Sequence, residues 1–184
     1  DVADLAALEF ALEDRVFDVV VNAAGTAHPF PAFDTVPEEF DRVISLNLRS
    51  AYFLSVWTAE AMLAAGRGGS IIHISSQMGH VGGQERAVYC GTKHAVEGFN
   101  KAMAIEWGPD NIRVNSICPT FILTPLTETT FADPEKRAWI DDKIKLPRVG
   151  MVEDIMGAAV YLASDASALV TGTSILVDGG WTAG

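Results

Sequence analysis

The chain has 184 residues, 49% of them hydrophobic, and a formal net charge of -11, which gives it enough apolar material for one substantial core in a single domain. The acidic balance leaves no basic stripe to neutralise phosphates and no attraction to an anionic membrane surface, so neither nucleic acid nor membrane is an expected partner. Polar residues interrupt every apolar run short of the ~20 that a bilayer span needs, and two cysteines, Cys90 and Cys118, are too few for a disulfide framework or a zinc site; reduced core thiols and a cytoplasmic location follow as expectations.

In chain order, Asp1 and Val2 lead into a helical segment expected over Leu5 to Asp14, then an apolar strand from Phe17 to Asn22. Helical spacing predicts a long helix over Pro37 to Ala65, with Phe40, Val43, Ile44, Leu48, Ala51 and Leu54 on one stripe. A strand from Ser70 to Ser75, a helix from Val88 to Trp107 and a strand from Ile112 to Cys118 come next. Helices over Pro134 to Ile144 and Glu153 to Ala163 precede a last strand, Ser174 to Val177. The strands are nearly all apolar rather than alternating, so both faces should be covered, as in a doubly wound α/β sheet of Rossmann type. Such folds normally open with a strand and a glycine-rich phosphate turn, and no Gly-x-Gly-x-x-Gly occurs here. The chain therefore reads as one domain, 1–184, the catalytic portion of a fold whose first β-α-β units are lacking.

Three places carry polar residues where packing alone does not ask for them. Asn47 interrupts the apolar stripe, and a buried amide must find hydrogen bonds or cost a few kcal/mol, so it is a satisfied structural asparagine or part of a functional network. Ser75 and Ser76 stand at the carboxyl end of the strand through Ile71 to Ile74, where parallel sheets open onto a ligand crevice; an ordinary turn role is the alternative. Tyr89 and Lys93 are four residues apart on a helix and share a face. An ammonium there should lower the phenol from its reference of about 10, although a plain surface pair has the same spacing.

Taken in order, Asn22-Ala23-Ala24-Gly25, Asn47, Ser76, Tyr89 thirteen residues later and Lys93 resemble the signature of the classical short-chain dehydrogenase/reductase family. Arg113-Val114-Asn115-Ser116-Ile117-Cys118-Pro119, Thr124 and Asp178-Gly179-Gly180 extend the likeness over the whole chain. The resemblance implies a catalytic set of Asn47, Ser76, Tyr89 and Lys93. Tyr89 would be the general acid or base, Ser76 the partner of the substrate oxygen, and Lys93 the group that binds the nicotinamide ribose and lowers the Tyr89 pKa. Asn47 would hold a water linking Lys93 to solvent.

NAD or NADP is the implied cofactor, contacted by Asp1, Val2, Asn22, Ala23, Ala24, Gly25, Tyr89, Lys93, Pro119, Ile122 and Thr124. Substrate would meet Ser76, Gln77, Tyr89 and Thr120, the last standing where the family usually has glycine, with His28, His80 and Gln84 near the crevice. Residues 127–146 correspond to the family's mobile substrate lid. No catalytic metal is expected, since His73 and His94 have no partners at ligand spacing. Family habit, the apolar excess of the two long helices and the terminal Trp181 imply a homotetramer.

The implied reaction interconverts a secondary alcohol and a ketone, with a sugar, polyol or sugar acid placed ahead of 3-oxoacyl thioesters. A non-catalytic nucleotide-binding or scaffold protein on the same fold is the alternative from another class; an epimerase or dehydratase of the extended branch fits the Asn22 to Gly25 motif less well.

Overall fold

A computed structural model describes residues 1–184. Four strands, β1 (Val19–Asn22), β2 (Gly69–Ile74), β3 (Ile112–Pro119) and β4 (Ser174–Val177), pair in parallel in that order. Seven α-helices accompany them: α1 (Leu5–Leu12), α2 (Pro37–Ile44), α3 (Ser50–Ala64), α4 (Ala87–Trp107), α5 (Glu128–Ala132), α6 (Pro134–Lys143) and α7 (Val152–Ala163). Since every strand runs the same way, Asn22, Ile74, Pro119 and Val177 end at one edge of the sheet.

The sheet is covered on both faces, as the apolar strands require. Neighbouring residues of a strand point to opposite sides. Accordingly Ile71 and Val114 pack with Ala59 and Met62 of α3 and with Met103 and Ala104 of α4. Ile72 and Ile117 pack against Leu162 of α7. All four strand residues are fully buried, and each stabilises the fold by about 1.5–3 kcal/mol through burial. The end of α7 is tied down by its own Leu162 carbonyl, which accepts from Ser70 Oγ at 2.8 Å and from Arg113 Nη2 at 2.9 Å.

Two expectations from the sequence need correction. The single helix over 37–65 is two, α2 and α3, joined by a π turn at Ser45–Arg49 in which the Ser50 amide donates to the Ser45 carbonyl. A π turn inserts one residue without ending the helix, and hydrophobic spacing does not reveal it. Trp181, expected to face another copy, is instead buried in this chain. It packs with Ile140, Ile144 and Val149, and its ring lies 5.0 Å from Trp139 and 5.6 Å from Phe121. The turn that brings it there needs glycine: Gly179 has φ +61°, and a Cβ on it would come 2.7 Å from Ile144 Cγ2.

This third cluster pins α6 over the carboxyl edge of the sheet. Asp133 caps α6 by accepting from the Glu135 and Lys136 amides, and Pro134 opens its first turn. α5, absent from the sequence-based elements, is only five residues long, too short to show a period.

Candidate active site

At the carboxyl edge, β2, β3, the start of α4 and the segment leading into α5 enclose a cavity of about 290 Å³. Ser76, Gln77, Tyr89, Pro119, Thr120, Ile122 and Thr124, all singled out by sequence, are on its wall. Ser76 follows β2 in extended backbone and caps a short turn: its Oγ accepts from the Met78 amide at 3.1 Å and donates to Gln77 Oε1 at 2.9 Å. Gln77 therefore holds the serine hydroxyl in place.

Tyr89 and Lys93 face the same region from α4, the Lys93 Nζ lying 5.6 Å from the centre of the Tyr89 ring. Nζ donates to the Ile74 carbonyl at 2.9 Å, which leaves two ammonium donors unspent. Burial draws the Lys93 pKa down to about 8, against the pull of Cys118 and Glu97. The expected lowering of the Tyr89 pKa by Lys93 is not what the structure gives. The phenol is pushed above its ordinary range, chiefly because burial penalises the phenolate, and the groups that pull it back are the Ser76 hydroxyl and the Arg86 guanidinium.

Asn47 belongs to the π turn and is 2% exposed. Its Oδ1 accepts from the Thr26 amide at 2.8 Å while its Nδ2 donates to the Thr26 carbonyl at 2.8 Å and to Thr92 Oγ1 at 3.4 Å. The amide thus clamps the loop that continues Asn22 to Gly25, whereas the resemblance implied that it would hold a water. Within that loop Asn22 Oδ1 accepts from the Ala24 amide at 3.1 Å, forming a tight turn. A Cβ on Gly25 would lie 3.4 Å from Asn47 Oδ1 and 3.8 Å from Lys93 Nζ, so bare backbone borders the ammonium. Such a glycine surface, beside a lysine with free donors, fits a nicotinamide ribose. Asp1 and Val2 precede α1 and are not on the cavity wall; the Asp1 carboxylate accepts from the Ala3 amide at 2.9 Å.

Thr120, expected to meet substrate, is on the cavity wall. Its amide donates to the Val177 carbonyl, but its hydroxyl is buried on the cavity wall without a partner. His28 lies outside the main cavity, 3.7 Å from Glu39 and against Phe30, and Gln84 lines an adjoining cavity. His80 turns away altogether: its Nε2 is 3.5 Å from Cys118 Sγ and 3.8 Å from Glu97 Oε2. Imidazole, carboxylate and thiol donors there lie within 4.8 Å of one another, a grouping hidden by the sequence separation of 38 between His80 and Cys118. The Glu97 oxygens also accept from Ser116 at 2.8 Å and from Ser174. Burial and the Glu97 charge push the Cys118 thiol up to about 12.

Arg86 is the wall residue that the sequence reading missed. It immediately precedes α4, one turn ahead of Tyr89, and its Nη1 is buried without a partner.

A family profile described as enoyl-(acyl carrier protein) reductase matches residues 1–182, and the chain is 38% identical over all 184 residues to the L-xylulose reductase of Bos taurus, covering 75% of that protein. The chain belongs to the classical short-chain dehydrogenase/reductase family. Among solved structures of similar shape, 4-hydroxyisoleucine dehydrogenase complexed with NADH gives a TM-score of 0.95 at 36% identity, with 100% of this chain and 78% of that one covered. A gluconate 5-dehydrogenase from Burkholderia cenocepacia J2315, in complex with NADP and tartrate, gives 0.94 at 31% identity, with 100% and 74% covered. As a short-chain dehydrogenase/reductase, the chain is an oxidoreductase acting on a CH–OH group with a nicotinamide dinucleotide.

Proposed function

We propose that residues 1–184 form one domain that interconverts a secondary alcohol and a ketone on a sugar, polyol or sugar acid, using NAD or NADP. The observation that carries this reading is a phenol, Tyr89, that shares the wall of a small polar cavity with Ser76 and has the Lys93 ammonium 5.6 Å from the centre of its ring. The dinucleotide supplies or accepts the hydride when bound. Lys93, with Asn22 to Gly25, Ile122 and Thr124, would hold it, and Asn47 fixes the loop that presents Gly25. Asp1 and Val2 are assigned its adenine end by resemblance alone.

Tyr89 then gives its phenolic proton to a carbonyl oxygen during reduction and takes one from an alcohol during oxidation. A phenol held above its ordinary pKa is fully protonated at neutral pH, which suits reduction; oxidation should quicken as pH rises and the phenolate becomes available. Ser76 must turn its proton from Gln77 to the substrate oxygen, so Gln77 sets the resting direction of that hydroxyl. Thr120, Thr124, Thr127, Thr129 and Thr130 line the same cavity, and so many hydroxyls favour a polyhydroxylated substrate over the acyl chain of a thioester.

Two of the three relatives named above, the L-xylulose reductase and the gluconate 5-dehydrogenase, support the same substrate class. Self-association into a homotetramer is part of the proposal, supported by exposed Met156, Val160, Leu169 and Leu176. Light scattering tests it. No helix is long and apolar enough to cross a membrane, and two free thiols support a cytoplasmic location. The test of activity is a panel of five- and six-carbon alditols, ketoses, aldonates and keto acids screened with each cofactor on the full-length protein, read at the nicotinamide absorbance band. Turnover of none of them refutes the reading.

A further inference from the structure

We infer that Arg86 is a carboxylate clamp, so that the substrate taken at Tyr89 is an anionic hydroxy or keto acid rather than a neutral polyol. This rests on the dehydrogenase reading and narrows it.

Arg86 carries an unpaired charge and is half-buried, unlike Arg15 and Arg49, which also lack an ion pair but are exposed. Arg42, Arg67, Arg137 and Arg148 each meet a carboxylate, and Arg113 is occupied by carbonyls and Ser167. Arg86 has no such partner: its Nη1 is buried and unbonded, and its sequence neighbour Glu85 forms no ion pair with it. Burial works against its charge, and leaving a buried donor unsatisfied costs free energy that any well-placed acceptor recovers. A guanidinium presents a planar fork of donors matched to a carboxylate, and a charge-assisted pair of this kind is about twice as strong as a neutral hydrogen bond.

The surroundings select an anion. Of 24 acidic residues in the chain, none lines this cavity, and Arg86 is the one charged side chain on its wall. Glu85, Glu135 and Lys136 face Arg86 only from the adjoining cavity. A second unpartnered group, the Thr120 hydroxyl, lies on the same wall, ready to donate to the second carboxylate oxygen or to a neighbouring substrate hydroxyl. Gly83 lets the arginine stem lie close, since a Cβ there would be 3.2 Å from Arg86 Cγ. Arg86 also acts electrostatically on Tyr89, so a clamped carboxylate sits near the alcohol that Tyr89 serves.

The test uses the full-length protein, with NAD and NADP each supplied. Six-carbon aldonates are compared with alditols of the same configuration, and D-gluconate binding to the cofactor-loaded protein is measured by calorimetry. The expected result is a higher kcat/KM for the acids, and a ratio of acid to alditol kcat/KM that falls about 10- to 100-fold in Arg86→Gln. Gluconate affinity should fall with it. Arg86→Lys, which keeps the charge but loses the fork, should lie between and decides the matter if the glutamine variant does not fold. Preference for alditols, equal losses on both substrate classes, or gluconate affinity unaffected by either substitution overturns the clamp and leaves the dehydrogenase reading standing. Arg86-dependent gluconate binding without turnover of any acid or alditol sustains the clamp and overturns the dehydrogenase reading instead.

Discussion

Asn47 and Glu97 on the inner side of the site use their polar atoms in the opposite way to Arg86 and Thr120 on its rim. On the inner side, Asn47 spends its amide on Thr26 and Thr92, and Glu97 takes hydroxyls from Ser116 and Ser174. On the rim, Arg86 and Thr120 keep buried donors with nothing to receive them. Polar atoms bonded within the protein fix a geometry and resist change; polar atoms left open mark where a ligand completes the bonding. The contrast separates the residues that hold the machinery from those that read the substrate.

The strongest attack on this contrast is Tyr89→Phe, which removes the reacting hydroxyl from the inner wall. Turnover should fall about 10²- to 10⁴-fold, with thermal stability and dinucleotide affinity nearly unchanged, and a variant retaining a tenth of wild-type turnover would unseat Tyr89. Next is Glu97→Ala, which strands two buried hydroxyls and should cost about 2–5 kcal/mol in urea unfolding. A loss below 1 kcal/mol would mean that the inner wall is not held by its bonding.

His73 offers a third test through pH. It is 1% exposed, its Nε2 meets Ser55 Oγ at 3.1 Å, and burial, helped by the Lys93 charge, lowers its pKa to about 4. A folded pKa below the unfolded value of about 6.5 means that the neutral ring is the stable form. Its contribution is complete above pH 6.5 and is lost as pH falls toward 4, by roughly 3 kcal/mol in all. Unfolding free energies at pH 7 and pH 4 should differ by less in His73→Asn, and an identical pH dependence in that variant would remove His73 as the cause. The smallest effect belongs to the rim: Thr120→Val deletes an unbonded hydroxyl and should shift stability by less than about 1 kcal/mol, in either direction. A larger loss would show that the hydroxyl has a partner after all.

Much of this was readable from residues alone. Strands dominated by apolar side chains rather than alternating ones announce a sheet covered on both faces, and β2, β3 and β4 fall within one residue of their expected limits. Tyr89 and Lys93 were legible because a four-residue step on a helix fixes direction as well as distance. Arg86 was not, because an arginine in a glycine-bearing loop ordinarily reaches into water, and only the folded chain shows its Nη1 buried beside the cavity. The same holds for His80, whose approach to Cys118 depends on how β3 passes beneath α4. The direction of the Tyr89 shift depends on burial, a quantity that spacing does not contain.

The π turn at Ser45–Arg49 has a consequence for how this chain tolerates length changes. A helix advances about 100° per residue, so deleting any one position between 45 and 49 would restore ordinary winding and turn the segment that carries Asn47 by about that angle relative to α3. The carboxamide that grips Thr26 would swing off its target, and the Gly25 loop would lose its latch while the hydrophobic core stayed whole. One surplus residue thus works as a phase setting for the active site, so a single-codon deletion there should be far more damaging than most substitutions at the same positions.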